Sequence, residues 1–337
     1  MNQVTLVTLT LLVSTFLLMN GCAAMPDAPA PEPLSAPMSQ YDARIVAPPG
    51  NRPLGIEELA ERLAGTDVVV VGEYHGHHAS HLLQSGLQQA LYRQHRQQVL
   101  SMEQFDLDHQ DALNRYLAGD IGEAEMIEDA EAWDNYRGAY RPLVEFARLH
   151  DLPVIAANAP AHVVRCVGRQ GPEYLDNLPE PVRHSLPAKP FLDIPAYREK
   201  FMAAIGASHR ADSTMKERMS NTYKAQLLRD NTMAERILQA RSQYPEHQIL
   251  HITGTFHSEQ GLGTVALLKQ RAPAVSVAVI SPVVWPREDD TPPLAENRTH
   301  GDYLYLIQPL PEEFRDPERA RKAMAERFST SARTDCD

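Results

Sequence analysis

Cysteine is scarce in this chain. Its 337 residues hold three, Cys22, Cys166 and Cys336, and no disulfide framework is implied by so few at such spacing. A basic surplus is also missing. The 32 Lys and Arg stand against 44 Asp and Glu, and the net charge of -12 argues against nucleic acid as a partner. The N-terminal apolar run, Val4–Met19, is 16 residues long. That is short for a membrane span and suits a signal-peptide core. Residues 2–15 contain no Lys or Arg, so the n-region charge rests on the α-amino group alone. No internal repeat is found beyond one pair of short motifs. The hydrophobic content of 43% is ordinary for a globular domain.

The first residues form an address. The apolar run ends in Leu18-Met19-Asn20-Gly21-Cys22-Ala23-Ala24, and Gly directly before Cys, followed by small residues, resembles a bacterial lipoprotein cleavage box. Residues 1–21 are therefore expected to be a signal peptide, with Cys22 lipidated after cleavage. Residues 22–50 carry prolines at 26, 29, 31, 33, 37, 48 and 49, a composition that favours an extended, semi-rigid tether over a packed core. No Asp follows Cys22 directly, which by analogy with lipoprotein sorting points to the outer membrane of the cell envelope, facing the periplasm.

Residues 51–310 carry the globular pattern, a length suited to one large domain. Strands are expected at Asp67–Val71, Gln98–Met102, Leu152–Ala157, Ile249–Thr253 and Val275–Ser281, with Tyr303–Ile307 as an edge strand. Helical periodicity fills the intervals, beginning with Ile56–Leu63 and His77–His95. Residues 160–245 show no strand pattern and read as a helical insert, with helices over Pro195–His209 and Ser213–Gln243. The fold class is therefore α/β, a mainly parallel sheet flanked by helices, with a helical subdomain before the fourth strand. Residues 311–337 form a charged tail expected to fray.

Two strands end in the same device, Gly-x-x-His: Gly72-Glu73-Tyr74-His75 and Gly254-Thr255-Phe256-His257. Glu103 closes a third strand. Ligands of open α/β sheets gather at such carboxyl ends. Glu73, His75, Glu103 and His257 are thus candidate ligands for a divalent metal ion, or the general-base groups of a hydrolytic site. A single such motif reads most simply as a tight turn and a helix cap; two of them beside Glu103 favour a pocket. His77, His78 and His81 follow at i,i+3 and i,i+4 spacing, so they can share a helix face and contact a haem or a metal. Tyrosine oxygen can ligate ferric haem, which singles out Tyr74 in the first motif, with Tyr140 and Tyr223 further along. Each of these is by default a core or surface aromatic.

In this context, further matches accumulate: Trp133 with Tyr140-Arg-Pro-Leu143, Phe146-Ala-Arg148, Leu152-Pro-Val-Ile-Ala-Ala-Asn158, Tyr223-Lys-Ala-Gln226 and Arg229-Asp-Asn-Thr-Met-Ala234. In this order, over about residues 55–285, they resemble the ChaN-like family of haem-binding bacterial lipoproteins, in a superfamily with Tiki-type proteases, TraB-like proteins and erythromycin esterases. The resemblance implies haem at the interface of a homodimer, ligation by Tyr and His, a role in haem and iron acquisition, and delivery to a haem-uptake transporter. Phe256 stands where a small residue is usual, and the histidines after His75 exceed the usual count. Two readings stay open: a lipid-anchored haem-capture protein, with Tyr74, His75, His77, His78, His81, Tyr140, Tyr223 and His257 as candidate haem contacts, and a hydrolase built on Glu73, His75, Glu103 and His257.

Overall fold

The computed structural model describes residues 34–205, 212–331 and 336. The signal segment, Cys22 and the first part of the tether lie outside the described residues, as does the end of the helix expected to reach His209. Among the described residues no helix is long and apolar enough to cross a membrane.

The strands are β1 (Arg44–Val46), β2 (Pro53–Leu54), β3 (Val68–Glu73), β4 (Gln98–Asp106), β5 (Val154–Asn158), β6 (Gln248–Gly254), β7 (Val277–Val284) and β8 (Tyr303–Ile307). The helices are α1 (Ile56–Arg62), α2 (His78–Gln94), α3 (Gln110–Ala118), α4 (Glu123–Asp129), α5 (Tyr136–Ala139), α6 (Arg141–Leu149), α7 (Ala161–Gln170), α8 (Glu180–Ser185), α9 (Pro195–Ala204), α10 (Ser213–Gln243), α11 (Thr264–Arg271), α12 (Leu294–Asn297) and α13 (Pro317–Ser331). The strands form one sheet in the order β2-β1-β8-β7-β3-β6-β4-β5. It is parallel from β8 to β5, and β1 and β2 are antiparallel additions at one edge.

The valine run explains the centre. Val68 to Val71 are fully buried, as a β-branched stretch covered on both faces must be. Successive side chains alternate between two cores. Val69 and Val71 join Leu83, Leu87 and Leu91 of α2 and Leu143 and Val144 of α6. Val68 and Val70 join Ala234 and Ile237 of α10 and Val265 and Leu268 of α11. The chain therefore leaves β3 across one face, through α2, and leaves β6 across the other, through α11. A crevice opens at the carboxyl ends where neighbouring connections diverge in this way.

Residues 161–243 hold α7, α8, α9 and α10. Asp212 caps α10, its side chain accepting from Met215 N at 2.8 Å.

Three expectations need correction. Tyr303–Ile307 is not an edge strand, because β1 and β2 lie outside it. Those strands are three and two residues long, too short for periodicity to register among prolines. The tether is also shorter than 22–50: Leu34 and Ala36 pack against a cluster of Val46, Val283, Trp285, Leu304 and Leu306. Finally, the tail holds α13, and Cys336 is disulfide-bonded to Cys166 of α7. Gln170 Nε2 donates to the Cys336 carbonyl at 3.0 Å. A separation of 170 residues leaves no local signal for such a pair. A cross-link closing so long a loop contributes about 2–4 kcal/mol by restricting the unfolded chain. Thermal unfolding with and without reductant should therefore show a midpoint several degrees lower when reduced, and Cys336→Ser should match the reduced protein. Equal midpoints would mean that the clip adds no stability.

Candidate functional site

The two Gly-x-x-His motifs interlock. A side chain at Gly72 would place its Cβ 2.9 Å from Ser258 Oγ and 3.1 Å from Thr255 Cα, in the turn after β6. A Cβ at Gly254 would lie 2.8 Å from His75 Nε2, in the turn after β3. Each glycine makes room for the other strand's turn, which is the physical reason both motifs begin with one.

The two glutamates sit on opposite faces of the sheet. Glu73 faces the α2 side. Its Oε1 accepts from Tyr140 OH at 2.7 Å, His75 Nδ1 at 2.8 Å and Gln104 Nε2 at 3.2 Å. Its Oε2 accepts from Gln84 Nε2 at 2.6 Å and lies 3.3 Å from His81 Nδ1. Burial pushes this carboxyl up, but the hydrogen bonds and charges of His75 and His81 outweigh it and hold the pKa down to about 2. Glu103 faces the α10 side. Its Oε2 accepts from Thr253 Oγ1 and Gly254 N, both at 2.6 Å, and its Oε1 is 3.4 Å from His257 Nε2. Burial raises this carboxyl too, but the His257 charge dominates and keeps it well below the usual range.

His257 is held from both sides. Nδ1 donates to Asp230 Oδ1 at 2.8 Å and Nε2 faces Glu103. Burial disfavours its charged form, yet the two carboxylates raise its pKa to about 10. Lying between two carboxylates, the ring is favoured in its protonated form. Asp230 also accepts from Tyr197 OH at 2.8 Å and Thr264 Oγ1 at 2.9 Å. Beneath this pair His251 is fully buried, and desolvation lowers its pKa to about 4, so it is neutral.

A cavity of about 740 Å³ opens over these groups, lined by Glu73, Tyr74, His75, Gln226, Phe256 and His257 among others. Phe201, Ala204, Ile205 and Phe256 supply apolar wall. Glu259 lies at the same cavity, paired with Lys200 Nζ at 3.0 Å. His75 packs edge-on against Trp133 at 5.0 Å. Tyr74 lines the cavity, and among the described residues its hydroxyl has no hydrogen-bond partner. Burial and the Glu259 charge raise its pKa.

The other candidates are placed elsewhere. His77 caps α2: its Nδ1 accepts from Ala79 N at 3.2 Å and its Nε2 donates to Gln308 O at 2.8 Å. His78 stacks on Tyr41 at 5.1 Å. His81 and Tyr140 serve Glu73 from within the core. Tyr223 donates to Asp193 and packs behind the cavity wall with Tyr197 and Phe201. The expected metal set of Glu73, His75, Glu103 and His257 does not form one coordination sphere, because the sheet separates the glutamates and His257 is ion-paired. Among the described residues, the group with ligand atoms within 4.8 Å of one another is Asp106, Asp108 and His109. Sequence reasoning overlooked Asp230, Gln84 and Gln104 as parts of the site. Asp230 had a signal: it falls on the apolar stripe Leu227, Ala234 and Ile237 of α10, where an unpaired acid would be costly.

A family model described as haem-binding uptake, Tiki superfamily, ChaN, matches residues 59–268. No curated protein sequence matches significantly. Among solved structures, ChaN of Campylobacter jejuni, described as binding haem cofacially, has a TM-score of 0.57 at 16% identity, covering 80% of this chain and 98% of that one. At that identity the likeness concerns the fold. An erythromycin esterase variant in an open conformation gives a TM-score of 0.43 at 13% identity, covering 84% of this chain and 87% of that one. A succinoglycan biosynthesis protein gives 0.47 at 12% identity, covering 80% and 95%.

The charge network has a pH signature. The raised pKa of His257 contributes stability that is complete below its ordinary value of 6.5 and is lost as pH climbs toward about 10. The depressed pKa of Glu73 contributes stability present above 4.5 and lost as pH falls toward about 2. Urea unfolding followed from pH 6.5 to 10 should show this alkaline decline in the wild type. His257→Gln should lack that slope and be weaker by about 3–5 kcal/mol at pH 6.5, because Asp230 and Glu103 lose their cation, and the gap should narrow as the pH approaches about 10. Parallel slopes would refute the assignment. Gly254→Ala should cost about 1–3 kcal/mol through overpacking and displace the His75 ring from Glu73, visible as a changed His75 titration by NMR.

Proposed function

The chain belongs to the haem-binding uptake family of ChaN type within the Tiki superfamily, and from that premise we propose that the cavity above β3 and β6 captures haem. The observation that carries this is Tyr74: an oxygen donor without an internal partner among the described residues, lining the same cavity as Phe201, Ala204, Ile205 and Phe256. The volume of about 740 Å³ is in the range of small-molecule and cofactor sites, roughly 300–1,000 Å³. The porphyrin would lie against the apolar wall. Tyr74 would offer its oxygen to ferric iron, with Nε2 of His75 as the alternative donor, since Glu73 holds Nδ1. Glu73 would fix the orientation of His75 in the way that outer carboxylates steady ligating histidines. His77, Tyr140 and Tyr223 would act on the scaffold and not on the iron.

The setting we propose is the bacterial envelope, with Cys22 lipidated and the domain in the periplasm, serving haem and iron acquisition and passing haem to an uptake transporter. The Cys166–Cys336 disulfide supports an oxidising compartment. A homodimer placing two such cavities mouth to mouth would follow twofold symmetry. The hydrolase alternative gains no specific support, because Glu73 and Glu103 are both occupied as acceptors and His257 is no free base.

The test is a haem titration of the full chain in detergent. The wild type should give a saturable Soret band. Tyr74→Phe should lower affinity at least about 100-fold, beyond the usual effect of losing an outer-shell partner, and shift the band. Ligation by tyrosinate releases a proton, so wild-type affinity should rise with pH and Tyr74→Phe affinity should not. Absence of saturable binding would overturn the haem reading.

A further inference from the structure

Large apolar side chains that stay exposed are unevenly spread. Among the described residues they are Met38, Tyr41, Leu82, Leu149, Ile205, Met215, Leu310 and Met324. Four of the eight are carried by segments joined to one another. Tyr41 stacks on His78 at the start of α2, and Leu82 lies one turn further along the same helix face. Gln40 Nε2 donates to the Pro309 carbonyl at 2.8 Å, which brings Leu310 alongside. Gln308 Nε2 donates to Pro37 O at 2.8 Å, fixing the segment that bears Met38. The exposures of Met38, Tyr41, Leu82 and Leu310 are 77%, 60%, 54% and 46%. Scattered single residues of this kind carry no message, but a contiguous patch does.

We propose that this patch is a docking surface for a lipid bilayer, the one to which Cys22 is anchored. The proposal rests on the lipid-anchored reading above. The chain itself names the occupant. Two members of the patch, Met38 and Tyr41, lie four and seven residues beyond Leu34, and 11 residues, 23–33, separate Leu34 from Cys22. Even fully extended, that stretch spans only about 40 Å, so an acylated Cys22 would keep the patch within reach of the membrane. Apolar and interfacial aromatic side chains gain by entering the headgroup boundary. Hydrogen bonds hold the bearing segments to one another, so the four side chains present a prepared surface. α2 begins at the same sheet edge as the haem cavity, so docking orients that edge toward the lipid.

The experiment uses the full chain, matured in a bacterium and reconstituted into vesicles of bacterial lipid. Leu82→Cys and Leu310→Cys variants are labelled with an environment-sensitive fluorophore, with Leu149→Cys and Met215→Cys as controls off the patch. Intact mass reports whether Cys22 is acylated. With acylation present, labels at 82 and 310 should be blue-shifted and quenched by lipids carrying a shallow doxyl group, and the controls should not. Acylated protein without quenching at 82 and 310 would overturn the docking surface and leave the anchor standing. A blue shift without lipid quenching, with a doubled native mass, would assign the patch to a second copy of the chain and equally overturn the proposal. Unacylated Cys22 would remove the anchor reading, and the docking proposal with it.

Discussion

The mutual fit of Gly72 and Gly254 is the constraint on which the rest of the site depends. Two parallel strands deliver turns that each occupy the space where the other's Cβ would be. With any larger residue at either position, the turn after one strand would be pushed off its neighbour. His75 would then leave Glu73, and the Gly254 amide would leave Glu103. The paired motif is therefore a packing device first. Its chemistry follows because close backbone approach places two buried acids and two imidazoles at one edge.

Burying charge is expensive unless each charge is paired and hydrogen-bonded. Glu73 and Glu103 are 1% and 4% exposed, and both are met by donors from several elements. The arrangement divides the labour. On the α2 face, glutamines and Tyr140 saturate Glu73. On the α10 face, Asp230 and Glu103 hold an imidazolium between them. Groups so fully engaged make poor ligands and poor bases, because using them would strand a buried partner. What remains is the turn residue with no such obligation, Tyr74, and the His75 nitrogen that Glu73 does not hold, Nε2.

Much of this was legible in the sequence. The valine run, the strand-end glycines and the helical insert reported themselves through β-branched runs and 3.6-residue periodicity, which are local signals. The convergence of Glu73, His75, Glu103 and His257 on one edge followed from parallel topology. Their separate roles did not, because which face of the sheet a carboxylate enters depends on register, and whether a histidine is ligand or ion pair depends on partners far away in sequence. Asp230 is 27 residues from His257. The Cys166–Cys336 bridge and the short strands β1 and β2 were hidden for a related reason: each is stabilised by partners distant in the chain and by almost nothing in its own segment.

The placement of β1 also bears on how the N-terminal region works. With a lipid at Cys22, a tether reaching to residue 50 would leave the domain free to tumble. Arg44–Val46 instead joins the sheet beside β8, and Leu34 and Ala36 pack against the adjacent cluster, so the packed domain begins well before residue 50. Loop-closure entropy changes slowly with length, but reach changes in proportion. Under the lipid-anchored reading proposed above, an exit from the domain fixed at Leu34 would therefore limit which surfaces could meet a membrane. Such a limit would make a bilayer the proposed occupant of the exposed Met38 and Tyr41, four and seven residues beyond that exit.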